Sequence, residues 1–348
     1  MGDTVKSVLL VRLSAIGDIV FASPLIAAAR QTWPDAHIAW LAQPECMPLL
    51  DQHPDLDEVI VCPLRHWRRL WEERRFGELY AGVRTLRENL RARNFDLALD
   101  LQGLLKSGVL TWLSGAPERV GLGSREGSQW LMTRVLPRGG ESKQIGSEYR
   151  YLAEVLGLPT GDFRMAVHYG DAESAFVDEV GQRLGLASGY VVLCPFTTRP
   201  QKHWIEERWA QLAVRLQGEF GLVPVLLGGP GDREAAARIE DASGGVAVDL
   251  AGRTSLTEAA AVIDRALLLV GVDTGLGHMG IALATPSLLL FGSTCPYLDT
   301  GRADARVLYH PLLCSPCKRR PTCAGALDCM HLIQVEEVMT AVRQVMQV

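Results

Sequence analysis

The chain has 348 residues, enough for two domains with separate cores, and its 48% hydrophobic and 22% charged content is that of a globular protein in water. A net charge of -5 gives no support to general nucleic-acid binding. No run of about 18 apolar residues is present, which excludes a transmembrane helix.

The N-terminus superficially resembles a secretion signal, with Lys6 before the apolar Ser7–Val11. Arg12, Ser14 and Asp18 interrupt that run, so it reads as a strand followed by a helix, and the expected compartment is the cytoplasm. Strand and helix signals then alternate. Ser7–Leu13 is a predicted strand, Asp18–Arg30 a helix, His37–Leu41 a strand, and the charged stretch Trp67–Arg93 one long amphipathic helix. Phe95–Asp100 follows as strand, Lys106–Leu113 as helix and Arg119–Leu122 as a short strand. The turn-rich stretch Gly157–Gly170 reads as the interdomain link. The pattern restarts with strand Tyr190–Pro195, helix Glu206–Gln217, strand Val223–Leu227, helix Asp232–Ile239, strand Val246–Leu250 and helix Leu256–Asp264. Ala266–Val272 and Pro286–Phe291 close the second sheet. The expectation is an α/β chain of two doubly wound, Rossmann-like domains, residues 1–165 and 166–334, facing a cleft. A final helix within residues 335–348 is expected to pack back on the first domain.

Ligands of such sheets bind beyond the carboxyl ends of strands, and the chemistry-bearing residues cluster there. Asp18, in Arg12-Leu13-Ser14-Ala15-Ile16-Gly17-Asp18, opens the first helix. Its carboxylate could take a proton from a substrate hydroxyl, or it could simply stabilise the helix dipole. Gln102-Gly103 with Lys106 forms a similar strand-to-helix turn. In the second half, Thr197-Thr198-Arg199 and Lys202-His203-Trp204 group hydroxyls and cations after a strand, which suits an anionic ligand or a solvated loop anchored by Trp204.

Val270-Gly271-Val272-Asp273-Thr274-Gly275-Leu276-Gly277-His278 is the most informative segment. A buried strand running through glycines into a helix start aims backbone N–H groups at one point, which attracts a phosphate. Gly275 to Gly280 also fits the dinucleotide pattern of an NAD-dependent oxidoreductase, but the next strand ends at Phe291-Gly292-Ser293-Thr294 without the required acid. Gly228-Gly229-Pro230-Gly231-Asp232 is a further turn that could approach a base or ribose.

Arg65, Arg68 and Arg69 crowd a stretch in which Trp67, Leu70 and Trp71 fall on one helical face, suited to an anionic membrane surface or a phosphorylated acceptor. Of the eight cysteines, Cys314, Cys317, Cys323 and Cys329 lie in one short loop. Four thiolates there could enclose one structural zinc or iron, their charge offset by Lys318, Arg319 and Arg320.

Taken together, these motifs resemble the ADP-heptose lipopolysaccharide heptosyltransferases of glycosyltransferase family nine, over nearly the whole chain. The resemblance is carried by Ser14-x2-Gly17-Asp18, Asp100-x-Gln102-Gly103-x2-Lys106-Ser107, Thr197-Thr198-Arg199-x2-Lys202-His203-Trp204 and Asp273-Thr274-Gly275-Leu276-x-His278, in the family's order. The basic segment and the Thr-Thr-Arg loop resemble the heptosyltransferase I branch in particular. The resemblance implies a GT-B fold, a first domain for the acceptor and a second for the donor, and an inverting transfer needing no catalytic metal. It implies that Asp18 is the general base and that Lys202 neutralises the leaving diphosphate. Thr197, Thr198, Asp273, Thr274, Gly275, Leu276 and His278 would hold the donor, a sugar nucleotide, ADP-heptose. Ser14, Gly17, Arg65, Arg68, Arg69, Gln102 and Lys106 would meet the acceptor, a lipid-linked Kdo sugar on lipid A at the inner face of the inner membrane. The four-cysteine loop is similar instead to members that glycosylate autotransporter proteins through a metal-bearing cysteine finger, so a protein acceptor is the alternative.

Overall fold

The computed structural model describes residues 5–317 and 320–347, which fall into two compact units. The first comprises residues up to Glu141 together with Gly146–Ala166, and the second comprises Ser142–Ile145 and everything from Val167 onward.

The first unit holds strands β1 Ser7–Val11, β2 His37–Ala42, β3 Glu58–Val61, β4 Leu97–Asp100, β5 Glu118–Leu122 and β6 Arg134–Leu136. They form one parallel sheet in the order β3-β2-β1-β4-β5-β6. A central parallel strand is covered on both faces, so it reads as an unbroken apolar run. In β1, Val8 and Leu10 enter one core layer while Leu9 and Val11 enter the other, the period-two alternation of a strand.

The second unit repeats the plan with β7 Tyr190–Cys194, β8 Val223–Leu226, β9 Val248–Asp249, β10 Leu268–Val272, β11 Ser287–Phe291 and β12 Ala305–Tyr309. Its order, β12-β11-β10-β7-β8-β9, is the same winding: the strand order reverses between β1 and β4 in one sheet and between β7 and β10 in the other. These are the two topological switch points where doubly wound sheets bind ligands.

Four expectations are corrected. The first helix is two, Ile16–Ala22 and Pro24–Thr32, because Pro24 has no N–H to continue the ladder and starts a new helix instead. The long charged helix is also two, Leu64–Glu72 and Phe76–Ala92, separated where Arg74 takes a left-handed φ of 57°. The second sheet does not close at Phe291: β12 pairs parallel to β11 beyond it. The final helix, Val335–Val345, packs on its own unit's sheet, with Val338, Met339, Val342 and Val345 buried among residues of β10, β11 and helix Glu206–Phe220. Among the described residues no helix is long and apolar enough to cross a membrane.

Candidate active site

At the first switch point, β1 and β4 lie side by side with Val11 opposite Asp100. The chain leaving β1 places Arg12 in the interior, where its Nη1 donates to the Leu101 carbonyl at 3.0 Å and its own carbonyl accepts from Trp40 Nε1 at 3.0 Å. Arg12 Nη2 meets Asp18 Oδ2 at 2.5 Å, and the same oxygen accepts the Ala15 N–H at 3.1 Å. Both restraints fall on Oδ2. The Asp18 side chain keeps 40% of its exposure while that of Arg12 keeps 8%, so a buried cation steers an accessible carboxylate. Burial opposes the Arg12 charge, and the Asp18 carboxylate hydrogen-bonded to it helps hold the guanidinium protonated.

The turn after β4 braces this arrangement. Asp100 Oδ1 accepts the N–H groups of Gln102 and Gly103, each at 3.0 Å. Burial pushes the Asp100 carboxyl above its ordinary range, and those N–H groups with Ser107 pull it back only in part. Gly103 has φ 67°, and a Cβ there would lie 2.4 Å from the Leu122 carbonyl, so only glycine fits. Gln102 is buried and its Oε1 accepts the Leu13 N–H at 3.3 Å. Gln102 therefore holds the loop that carries Asp18, a task its expected acceptor contact did not include. Ser14 is half-buried, Gly17 is buried and Lys106 is exposed.

The basic segment is only partly as expected. Trp67 and Leu70 are buried, but Trp71 keeps 63% exposure and stacks edge-on with exposed Phe76 at 5.2 Å. Arg65, Arg68 and Arg69 all point to the surface, with Arg65 paired to Glu45 at 3.1 Å and Arg68 to Glu72 at 2.8 Å.

At the second switch point the loop after β7 runs through Thr197 and Thr198 into a short turn ending at Lys202. Trp204 anchors it, donating from Nε1 to the Ile333 carbonyl at 2.9 Å and packing edge-on with Trp209 at 5.0 Å. His203 Nε2 donates to the Thr197 carbonyl at 2.8 Å, which fixes the loop's curl. Lys202 Nζ then reaches Asp273 Oδ2 at 2.6 Å, just past the end of β10.

Asp273 is the hub of this site. Its Oδ1 accepts from His278 Nε2 at 3.1 Å, and Thr294 Oγ1 donates to Oδ2. Burial opposes its charge, yet the hydrogen bond from His278 and the Lys202 ammonium outweigh burial and hold the carboxyl well below the usual carboxylate range. Thr274 precedes helix Gly275–Ala282, whose first-turn N–H groups have no partner within the helix and face beyond its start. A cation, a hydroxyl and a helix N-terminus thus converge where an anion would bind. Thr294 and Tyr297, which bonds His278, escaped the sequence reading. The strand-end rule points to Thr294, because it follows β11, whereas the dinucleotide pattern asks only for an acid there.

The expected zinc or iron site in the four-cysteine loop finds no support: among the described residues no three His, Cys, Asp or Glu side chains gather to hold a metal ion. All four thiols are free. Backbone N–H groups around Cys323, those of Leu327 and Gly325, lower its pKa, while burial raises that of Cys329. Lys318 and Arg319 lie outside the described residues.

The model of glycosyltransferase family 9 (heptosyltransferase) matches residues 83–327. The chain belongs to glycosyltransferase family 9. The lipopolysaccharide heptosyltransferase 1 of Pseudomonas aeruginosa is 31% identical over 326 residues, covering 91% of this chain and 87% of that protein. The Escherichia coli K12 protein of the same name is 28% identical over 310 residues, covering 84% of this chain and 90% of that one. A family 9 glycosyl transferase from Veillonella parvula superposes with a TM-score of 0.81 at 21% identity, over 98% of this chain and 97% of that chain. E. coli heptosyltransferase WaaC, solved with ADP-2-deoxy-2-fluoro heptose, gives a TM-score of 0.75 at 26% identity, over 97% of this chain and 99% of that chain. The fold is thus GT-B, two Rossmann-like units in one chain, and this family 9 member is a glycosyltransferase. The match is to a glycosyltransferase family, not to an oxidoreductase.

Proposed function

We propose that this enzyme moves heptose from ADP-heptose to a Kdo-lipid A acceptor with inversion at the anomeric carbon. The observation that carries this reading is the buried Lys202–Asp273–His278 network beside an open helix N-terminus, in a chain that matches WaaC, solved with an ADP-heptose analogue, along 97% of its length.

The acceptor hydroxyl oxygen attacks the anomeric carbon while the bond from that carbon to the diphosphate oxygen breaks. Asp18 takes the hydroxyl proton, and Arg12 holds the carboxylate in place through Oδ2. The electron pair leaves with ADP. Lys202 and the N–H groups of Gly275 and Leu276 stabilise the charge growing on the diphosphate, with Thr274, Thr197 and Thr198 around it. Asp273, bonded to Lys202 and His278, orients that cation and meets the sugar. A single displacement of this kind inverts the centre. Residues 1–165 supply the acceptor side and 166–334 the donor side.

Arg65, Arg68, Arg69 and Lys106 are exposed cations suited to the anionic Kdo and phosphate groups of the acceptor. Exposed Trp71, Phe76 and Tyr80 on the same pair of helices favour a cytoplasmic enzyme resting on the inner face of the membrane. The test is incubation with ADP-heptose and either Kdo-lipid A or a candidate autotransporter protein. ADP release with heptosylated lipid supports the reading. Heptosylated protein without heptosylated lipid replaces the acceptor, and no ADP release removes the donor.

A further inference from the structure

Helix Leu105–Leu113, which opens at the turn after β4, is apolar on two faces. Leu110 and Leu113 turn inward and join Leu9, Val11 and Ala98 in one core layer of the first sheet. Leu105, Val109 and Trp112, spaced i, i+4 and i+7 along the other face, are exposed.

The 3-10 turn Ser128–Leu131 lies alongside this helix. A Cβ on Gly108 would meet Ser128 Cβ at 2.6 Å, and Leu105 Cδ1 lies 3.8 Å from the place of a Cβ on Gly127. The loop before the turn is tied to the helix start, since the Arg125 N–H donates to the Gly103 carbonyl at 3.0 Å. The turn carries Trp130, which keeps 85% of its exposure. Two adjoining elements thus present two tryptophans, a leucine and a valine to solvent. Single exposed apolar side chains are ordinary, but a helix apolar on both faces calls for a partner on each.

Charge selects that partner. Lys106 and Arg125, at the Leu105 end of the face, are exposed, and among the described residues neither forms an ion pair. Glu126 is the exposed acid of the same loop. On the helices Leu64–Glu72 and Phe76–Ala92, by contrast, Arg68, Arg75 and Arg84 are paired with glutamates of their own segment. A second copy of this chain docked here about a twofold axis would bring two unpaired cations from each copy into one interface. An anionic bilayer meets both needs: tryptophan rings seat at headgroup level, and lipid phosphates take the cations.

We propose that the face formed by Leu105, Val109, Trp112 and Trp130, with Lys106 and Arg125 at its edge, docks on an anionic phospholipid bilayer. The proposal deepens the lipid-acceptor reading above and rests on it for its purpose. The helix starts at the carboxyl end of β4, so docking it holds the Gln102-Gly103 turn near the headgroup layer in which a lipid-linked acceptor presents its sugars. It is a second contact beside the one assigned to Trp71, Phe76 and Tyr80.

Flotation of the full-length enzyme with phosphatidylethanolamine–phosphatidylglycerol vesicles, without ADP-heptose, reads the contact directly. The wild type should bind them about tenfold more tightly than phosphatidylcholine vesicles and detach as salt rises. The double variant Trp112→Ser, Trp130→Ser should bind about tenfold more weakly, with ADP affinity by calorimetry within about twofold of wild type as the check on folding. Arg125→Gln should lower binding about fivefold. In the tryptophan variant KM should rise for vesicle-borne Kdo-lipid A and stay unchanged for the same Kdo sugar without acyl chains. No flotation of the wild type, equal flotation with phosphatidylcholine, or a double variant that floats like the wild type overturns the proposal. So does a dimer in sedimentation velocity that Trp130→Ser separates, which would give the face to a second copy. A wild type that floats but transfers no heptose strikes the lipid-acceptor reading and leaves the docking face standing.

Discussion

The two units wind their sheets alike and place an acid–base ion pair at the same topological point, but the first leaves its acid accessible while the second buries both partners. In the first, the cation Arg12 is interior and the acid Asp18 keeps 40% exposure. In the second, the Asp273 side chain keeps only 9% exposure and is held by Lys202 and His278. A doubly wound sheet fixes where a pair sits, and burial decides which partner is free to act. An accessible carboxylate on a buried guanidinium suits proton removal. A buried carboxylate that aims a lysine suits stabilisation of a leaving anion.

This contrast can be broken one residue at a time. Asp18→Asn removes the exposed acid and leaves the second unit intact, so turnover should fall by about 10²–10⁴-fold while ADP affinity by calorimetry stays within about twofold. Lys202→Ala should lower kcat/KM by about 10²–10³-fold and weaken ADP binding as well, a signature Asp18→Asn lacks. If both variants weaken ADP alike, the division of labour is wrong.

Asp273→Asn tests the buried acid through stability. Removing one partner of a buried pair should cost about 3 kcal/mol by denaturant unfolding. Because the folded carboxyl is held below its unfolded value, this stabilisation is fully present above about pH 4 and is lost as pH falls further. The gap between wild type and variant should therefore be flat from about pH 8 to pH 5 and narrow in more acid solution. A gap that widens toward acid would contradict the assignment. Smallest of all is the contrast on the basic helices. Trp67→Ala should cost about 3 kcal/mol from a buried aromatic, and Trp71→Ala less than about 0.5 kcal/mol. Equal costs would place Trp71 in a core it does not enter.

Much of this was legible in the chain. Unbroken apolar runs ending in Arg12, Asp100, Cys194 and Asp273 mark parallel strands, and functional side chains follow strand ends by rule. The Asp273–His278 segment announces an anion site from its glycines and helix start alone. What stayed hidden depends on tertiary partners. Periodicity gave Trp71 a buried face, but the backbone turn at Arg74 lets it face water beside Phe76. The final helix is amphipathic, yet nothing in its own residues names the sheet it covers. Gln102 reads as a ligand contact, and that its oxygen also holds the Leu13 N–H shows only in the fold. Cysteine spacing counts residues and does not show whether the sulfurs converge, and here no metal-holding group forms among the described residues.

Mass spectrometry of Kdo-lipid A after incubation with ADP-heptose, run in parallel for the wild-type enzyme and Asp18→Asn, puts the whole scheme at risk. One added heptose with the wild type, and at most a trace with the variant at equal ADP occupancy, is the predicted outcome. Unmodified lipid with the wild type, or equal modification by both enzymes, would contradict it.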